Sequence, residues 1–227
     1  MKKKIISLLI FSALGLIMLQ IPFTDIIGSN QKYSFFDFMA PTIGAFLTSI
    51  WGAVSVILIK IINALATGQS FDTTTIIRLF PLALAALYFG VKKYKLLVAA
   101  LPLVCLVLFV IHPSGRQAWY FSLFWLIPLV AAFARRSLVL NSLGATFTAH
   151  ALGSVAFLYA FNLPAEVWIG LIPIVFLERV MFAGGAALSY VLLNNLISWA
   201  AKVPGLSFLE RFVSTDHVLS KRLLVRL

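Results

Sequence analysis

Apolar stretches of roughly membrane-spanning length fill most of the chain, and short polar stretches punctuate them. The first apolar run covers about residues 5–22 and ends at Pro22 and the polar stretch Asp25 to Gln31. The second begins near Phe35 and continues to Ala66. As a single helix it would measure about 48 Å, too long for a hydrocarbon core of about 30 Å. Either one tilted helix or a tight helical hairpin turning near Trp51–Gly52 satisfies that pattern. Further apolar segments cover 76–91, 96–111, 118–134, 138–160 and 166–199, and Gly184–Gly185 is a candidate kink or break in the last.

Basic residues fall between these segments: Lys2 to Lys4, then Lys92, Lys93 and Lys95, then Arg135 and Arg136, then Lys202, Arg211, Lys221, Arg222 and Arg226. Basic loops stay cytoplasmic during insertion. If 35–66 crosses twice, all four groups fall on the inner side. If it crosses once, the Lys92–Lys95 cluster is forced outside. The expected architecture is therefore an all-α polytopic bundle of about seven or eight membrane segments over 1–200. Both termini are then cytoplasmic, in a cell membrane. Residues 201–227 form a basic tail, read either as an amphipathic helix on a membrane or partner or as a plain solvated tail. The start looks like a signal peptide. No clean small-x-small site follows it, so an uncleaved first span is expected.

Composition sharpens this picture. Of the 227 residues, 62% are hydrophobic and 11% charged, and the mean hydropathy is +1.03. A soluble domain is nearer half apolar and a quarter charged. The net charge of +11 does not point to nucleic acid, because the basic residues flank apolar segments instead of forming one stripe with interleaved aromatics. They suit topology anchoring and anionic lipid. The single cysteine, Cys105, allows no intrachain disulfide and no cysteine metal site. No cofactor motif, Walker motif or zinc-protease motif is present.

Charged groups within a bilayer are costly and face protein or water. Lys60, His150, Glu178 and Arg179 lie in such segments. Counting from Gly52, Leu138 and Glu166 places Lys60, His150 and Glu178 roughly 12–18 Å from one face. Two readings stand side by side: a buried polar site that binds solute or relays protons, and a packing network pairing Lys60 with Glu178, or Arg179 with a helix carbonyl. Ala145, Ala149 and Gly153 form a small-residue stripe beside His150, and Ala183–Ala187 with Gly185–Ser189 form another. His112 to Gln117 make a polar outer loop. There Arg116 is a candidate anion contact, while Ser114 and His112 lack a third triad member and a nucleophile elbow. Asp37, Asn63, Arg78 and Asn162 fall near outer ends, where they suit a pocket entrance.

The run Phe36-Asp37-Phe38-Met39-Ala40-Pro41-Thr42-Ile43-Gly44-Ala45-Phe46-Leu47, leading to Trp51-Gly52-Ala53-Val54 and Leu58-Ile59-Lys60-Ile61-Ile62-Asn63, resembles the short paired helices of the substrate-binding S components of energy-coupling-factor (ECF) vitamin transporters. The closing pair, with His150, Gly153, Tyr159, Trp168 and Glu178-Arg179, is similar to their last two helices. The chain departs from that family in an additional hairpin over 96–134 and in having only scattered Ser7, Ser12, Ala13 and Gly15 on its first segment. The resemblance implies binding of a small micronutrient from outside, with a separate coupling protein and ATPase subunits driving its release inside. Lys60, Asn63, Arg116, His150, Glu178 and Arg179 are the expected solute contacts within apolar walls. Two rival readings remain. One is an intramembrane enzyme using His150 and Glu178 as acid and base on a lipid-like substrate. The other is a membrane scaffold whose small-residue stripes and basic tail recruit partners.

Overall fold

A computed structural model describes residues 2–25, 32–134 and 137–219. The basic residues Arg135, Arg136, Lys221, Arg222 and Arg226 of the charge ladder lie outside them. The protein is nearly all-α. Its helices are α1 (Lys2–Leu19), α2 (Phe35–Leu47), α3 (Ser49–Ala66), α4 (Thr73–Gly90), α5 (Lys95–Ala99), α6 (Leu101–Ile111), α7 (Pro113–Gln117), α8 (Ile127–Phe133), α9 (Leu138–Phe161) and α10 (Ala165–Ala200). Four of them, α3, α4, α9 and α10, are long and apolar enough to cross a membrane. Large apolar side chains point out of the protein along them, among them Ile50, Leu65, Leu177 and Trp199. Such outward apolar faces suit lipid contact and not water.

One element departs from the all-α expectation. Strands β1 (Pro22–Asp25) and β2 (Lys32–Ser34) pair antiparallel between α1 and α2, with Thr24 opposite Tyr33 and Asp25 opposite Lys32. The alternating Lys-Tyr-Ser of β2 sends successive side chains to opposite faces.

The apolar run 35–66 divides into two helices, and the division lies at Thr48, earlier than Trp51–Gly52. Thr48 has φ 76° and ψ 148°, an uncommon conformation for a β-branched residue. Gly52 does different work. A Cβ there would meet the backbone of Gly44, with Gly44 N at 2.7 Å. A Cβ on Gly44 would meet Ala86 of α4, and one on Gly90 would meet the Gly44 carbonyl. The glycines therefore let α2, α3 and α4 touch backbone to backbone, as small residues do wherever helices approach closely. At 13 residues α2 is about 20 Å long, short of a bilayer core.

The segments 96–111 and 118–134 are less regular than expected. The first is interrupted at Ala100, ahead of Pro102. The second runs as a 3₁₀ helix over Trp119–Leu126 before α8 begins, with Pro128 in its first turn. Proline lacks an N–H and suits a helix start. By contrast, α10 runs unbroken through Gly184–Gly185. Its 36 residues span about 54 Å.

The center of the fold is α4, which packs on α2, α3 and α9. One core lies among α1, α2 and α3, built on Phe36, Ile43, Val56 and Ile59. A second joins α4 to α9 through Ala85, Tyr88, Ala145 and Ala149. The α9 small-residue stripe thus packs internally on α4. A third, aromatic core gathers Phe109, Phe121, Trp125, Phe147 and Trp168. The stripe on α10 also faces inward, because a Cβ on Gly185 would meet the Phe38 ring.

Beyond Ala200, the described part of the tail is not one amphipathic helix. It folds back on α10 through two short 3₁₀ turns, Ser207–Phe212 and Thr215–His217. Asn194 Nδ2 donates to the Ser214 carbonyl at 3.0 Å, and the Ser214 amide donates to Asn194 Oδ1 at 2.7 Å. Asn195 repeats the arrangement with the His217 carbonyl and the Leu219 amide. Residues 220–227 lie outside the described residues.

Candidate functional site: a polar cleft under the β-hairpin

A cleft of about 180 Å³ opens among the β-hairpin, α2, α3 and α4. Strand β2 contributes Lys32 and Ser34, α2 contributes Asp37, and α3 contributes Lys60 and Asn63. Gln69 comes from the α3–α4 connection, and Thr75 and Arg78 from the start of α4. Leu19, Leu79 and Leu82 supply apolar wall. Three basic side chains therefore share a small space with one carboxylate.

Local structure fixes several of these groups. Ser34 and Asp37 form a capping box at the start of α2: the Ser34 amide donates to Asp37 Oδ2 at 2.7 Å, and the Ser34 hydroxyl donates to the same oxygen at 3.1 Å. Asp72 caps α4, its Oδ1 accepting from the Thr75 amide at 2.7 Å. That amide's hydrogen bond holds the exposed Asp72 carboxyl below the usual carboxylate range. Gln69 Nε2 donates to Thr75 Oγ1 at 3.2 Å. Gln20 Nε2 donates to Asn63 Oδ1 at 2.7 Å, tying the end of α1 to the cleft. The Lys60 ammonium donates to the backbone carbonyl of Arg78. Glu178, one of the partners that the packing-network reading offered Lys60, pairs with Arg179 instead.

The other face of β2 is latched to α10. The Tyr33 ring packs edge-on against Phe182 at 4.6 Å, and Arg179 Nη2 donates to the Tyr33 hydroxyl at 3.3 Å. Burial pushes the Tyr33 phenol above its ordinary pKa. The neighbouring Arg179 charge opposes that rise, and the Glu178 and Asp37 carboxylates add to it. Arg179 also pairs with Glu178 at 3.2 Å and lies over the Phe182 ring at 4.7 Å. Its Nε is buried and has no hydrogen-bond partner among the described residues.

Of the residues predicted to contact solute, the structure brings Lys60 and Asn63 together in the cleft. Glu178 and Arg179 do not line it; Arg179 meets Tyr33, which stands between the lining residues Lys32 and Ser34. Arg116 is exposed on α7 and does not line it. His150 belongs to the aromatic core instead. The Trp125 indole N–H donates to His150 Nδ1 at 3.0 Å. An indole nitrogen only donates, so Nδ1 must accept and the ring proton sits on Nε2. Nε2 then donates to Ser154 Oγ at 3.3 Å. Both ring nitrogens are occupied, which suits a packing role and not proton transfer with Glu178. No hydrogen bond joins Ser114 to His112 among the described residues, and no group of His, Cys, Asp and Glu there could hold a metal ion.

Sequence reasoning missed Lys32, Ser34, Gln69 and Thr75. The Ser34-x-x-Asp37 capping signature was the available signal for the second of these. It also treated Lys95 as a topology anchor. Lys95 is buried, donates to the Tyr88 carbonyl and to Asn141, and lies 3.7 Å over the Tyr88 ring.

Comparison with known proteins adds one relative. An uncharacterized protein of Methanocaldococcus jannaschii is 27% identical over 203 residues, covering 79% of this chain and 67% of that protein. No family model and no solved structure matches.

Proposed function

We propose that the protein is an integral membrane solute-binding and uptake protein, similar in kind to an ECF S component, and that the cleft under the β-hairpin is its solute site. The observation that carries this reading is the cleft itself. Lys32, Lys60, Arg78 and Asp37 converge within a fold whose other surfaces are dominated by apolar helices. Ionisable groups placed inside such a fold mark ligand or ion pathways, and a few polar groups among apolar walls are what orient a small ligand.

In this reading the chain makes seven or eight passes in a cell membrane with both ends cytoplasmic, and the α2–α3 hairpin enters and returns. The 36-residue α10 extends past the bilayer into the cytoplasm, where the tail folds onto it. Partner coupling protein and ATPase subunits supply the energy, because the chain has no nucleotide-binding motif of its own. The experiment is affinity purification in mild detergent with mass spectrometry of proteins and small molecules. An ATPase pair with a bound small solute is the expected result. A protein carrying only lipid, with no solute and no ATPase, sinks the reading.

A further inference from the structure

We infer that the cytoplasmic end of α10 is a homodimer interface, on which a second copy of this chain packs in parallel along Leu188, Leu192, Leu196 and Trp199. The inference rests on the membrane reading above for the orientation of the copies, and not on the cleft. Two rulers show that this end stands clear of the rest of the bundle. The Thr146 hydroxyl donates to the Arg179 carbonyl at 3.4 Å, which sets α9 and α10 in register. From there α9 has eight residues to its end at Leu138 and α10 has 21 to its end at Ala200, a difference of about 20 Å. The Tyr190 ring lies 5.6 Å from that of Phe89 and 5.2 Å from that of Phe46, each one residue from the end of its helix, at Gly90 of α4 and Leu47 of α2. Ala200 is ten residues further on, about 15 Å.

The polarity of this end is the reverse of what water selects. A helix standing in water packs its apolar side and turns its polar side outward. Here the asparagine amides are used inside: Asn194 and Asn195 hold the main chain of the folded-back tail at Ser214, His217 and Leu219. Tyr190, Leu193 and Ile197 are packed as well, against the core of α1, α2 and α3. The side left open carries Leu188, Leu192, Leu196 and Trp199, each between 53% and 70% exposed. Their spacing of three or four residues keeps them on one face. Hydrocarbon does not cover them, because α2, α4 and α9 end about 15–20 Å short of Ala200 and the exposed Lys92 and Lys93 follow the end of α4. A contiguous apolar patch of this kind marks a protein–protein contact.

Charge and orientation single out a second copy as the occupant. From Val180 to Ala201 the chain has no charged residue, so nothing on this face selects a charged partner and nothing on it repels an identical face. Insertion sets both copies in the same sense across the membrane. A two-fold axis along the membrane normal then lays α10 parallel to α10, each residue against its own equivalent. Leucine meets leucine, and Trp199 meets Trp199. The area agrees. A large apolar side chain buries on the order of 200 Å², so these four, half to seven-tenths exposed, offer roughly 500 Å² per copy. The pair reaches about 1,000 Å², the size at which a specific interface begins.

The test uses the full chain in the membranes of the expressing cells. Leu192→Cys and Leu196→Cys are oxidised with copper phenanthroline and run on non-reducing gels. Cys105, the single native cysteine, is buried, so the wild type gives the background. Ile50→Cys is the collision control, because Ile50 is an exposed apolar residue in the first turn of α3, at the same inner end. At least one of the two α10 variants is expected to shift to a species of two 25.0 kDa chains, while Ile50→Cys stays at background. In a second arm, native mass spectrometry from mild detergent is expected to find the wild type dimeric and the double variant Leu192→Glu/Leu196→Glu monomeric. Both positions are exposed, so melting temperature and monodispersity check that the double variant folds. If it does not fold, the cysteine arm alone decides, as it does where detergent separates the copies.

Cross-linking of neither α10 variant above the Ile50→Cys background overturns the inference and puts this face in lipid. A cross-link from these positions to a different polypeptide, with no homodimer, also overturns it, and so does a double variant that folds and stays dimeric. None of these outcomes touches the cleft, whose solute-binding reading stands or falls on the co-purification experiment alone.

Discussion

Replacing Gly44 by alanine tests whether the backbone contact of α2, α3 and α4 holds the fold together. A Cβ at Gly44 would fall against the Ala86 carbonyl, with Ala86 C at 2.7 Å and Ala86 Cα at 3.2 Å. Carbon atoms in good contact lie about 3.5–4.0 Å apart. The helices must therefore separate by about 1 Å, because the opposing atoms are backbone and cannot rotate aside. Gly52 and Gly90 pack on the same residue, so their contacts loosen together. Overpacking of this kind costs about 1–3 kcal/mol, partly offset by alanine's better helix propensity, about 1 kcal/mol. At about 2–4 °C per kcal/mol for a chain of this size, Gly44→Ala should melt up to about 8 °C below wild type, and roughly 2–12 °C below an alanine control that has the same propensity gain without the overpacking. Gly170→Ala and Gly184→Ala are the controls, since a Cβ at either meets nothing within 4 Å. They should melt at or slightly above wild type. Tryptophan fluorescence during heating of the detergent-solubilised protein, checked by size exclusion, reads the difference. Gly44→Ala melting with the Gly184→Ala control refutes the reasoning.

Three further outcomes are expected. Trp125→Phe leaves His150 Nδ1 without its donor and should cost about 1–3 kcal/mol; pairing it with His150→Phe should recover part of the loss, and strictly additive melting shifts rule out the hydrogen bond. Asn194→Ala removes both bonds to Ser214, so trypsin should cut at Lys202 and Arg211 sooner than in wild type, whereas an unchanged digestion pattern removes the clamp. Asp72→Ala should lower the melting temperature at neutral pH by loss of the α4 cap. The Asp72 pKa is depressed in the fold, so the cap's contribution is complete above the unfolded value of about 3.9 and disappears as pH falls through the lower folded value. Wild type and variant should converge in melting temperature only in strong acid, and a gap that closes near neutrality contradicts this assignment.

Much of the architecture was readable from the residues in order. The apolar runs announce helices because burying or membrane-embedding a backbone demands that its own N–H and C=O groups pair within the segment. The excess length of 35–66 leaves a tilted helix or a hairpin, the spacing of the basic groups favours the hairpin, and Lys60 stands out as a charge within that run. Those inferences depend on local composition and on a ruler of 1.5 Å per residue, both properties of the linear chain.

What the chain order did not contain is which distant side chains meet. Lys60, His150 and Glu178 share an estimated depth, yet depth leaves rotation about each helix axis open. Packing resolves it: Lys60 turns to the Arg78 carbonyl, His150 to Trp125 and Ser154, and Glu178 to its neighbour Arg179. The reversal at Thr48 and the latch of Tyr33 on Arg179 follow from the same cause. Gly52 looks like a turn residue by composition, but its missing Cβ is needed for contact with Gly44, and the turn moves to where the crossing of the helices puts it. Sequence alone thus determined that this is an apolar helical protein with rare, costly charges inside its helical segments. Only close packing of helices far apart in the chain decided which of those charges share a cleft, because side-chain direction is set by contacts on every side of a helix at once.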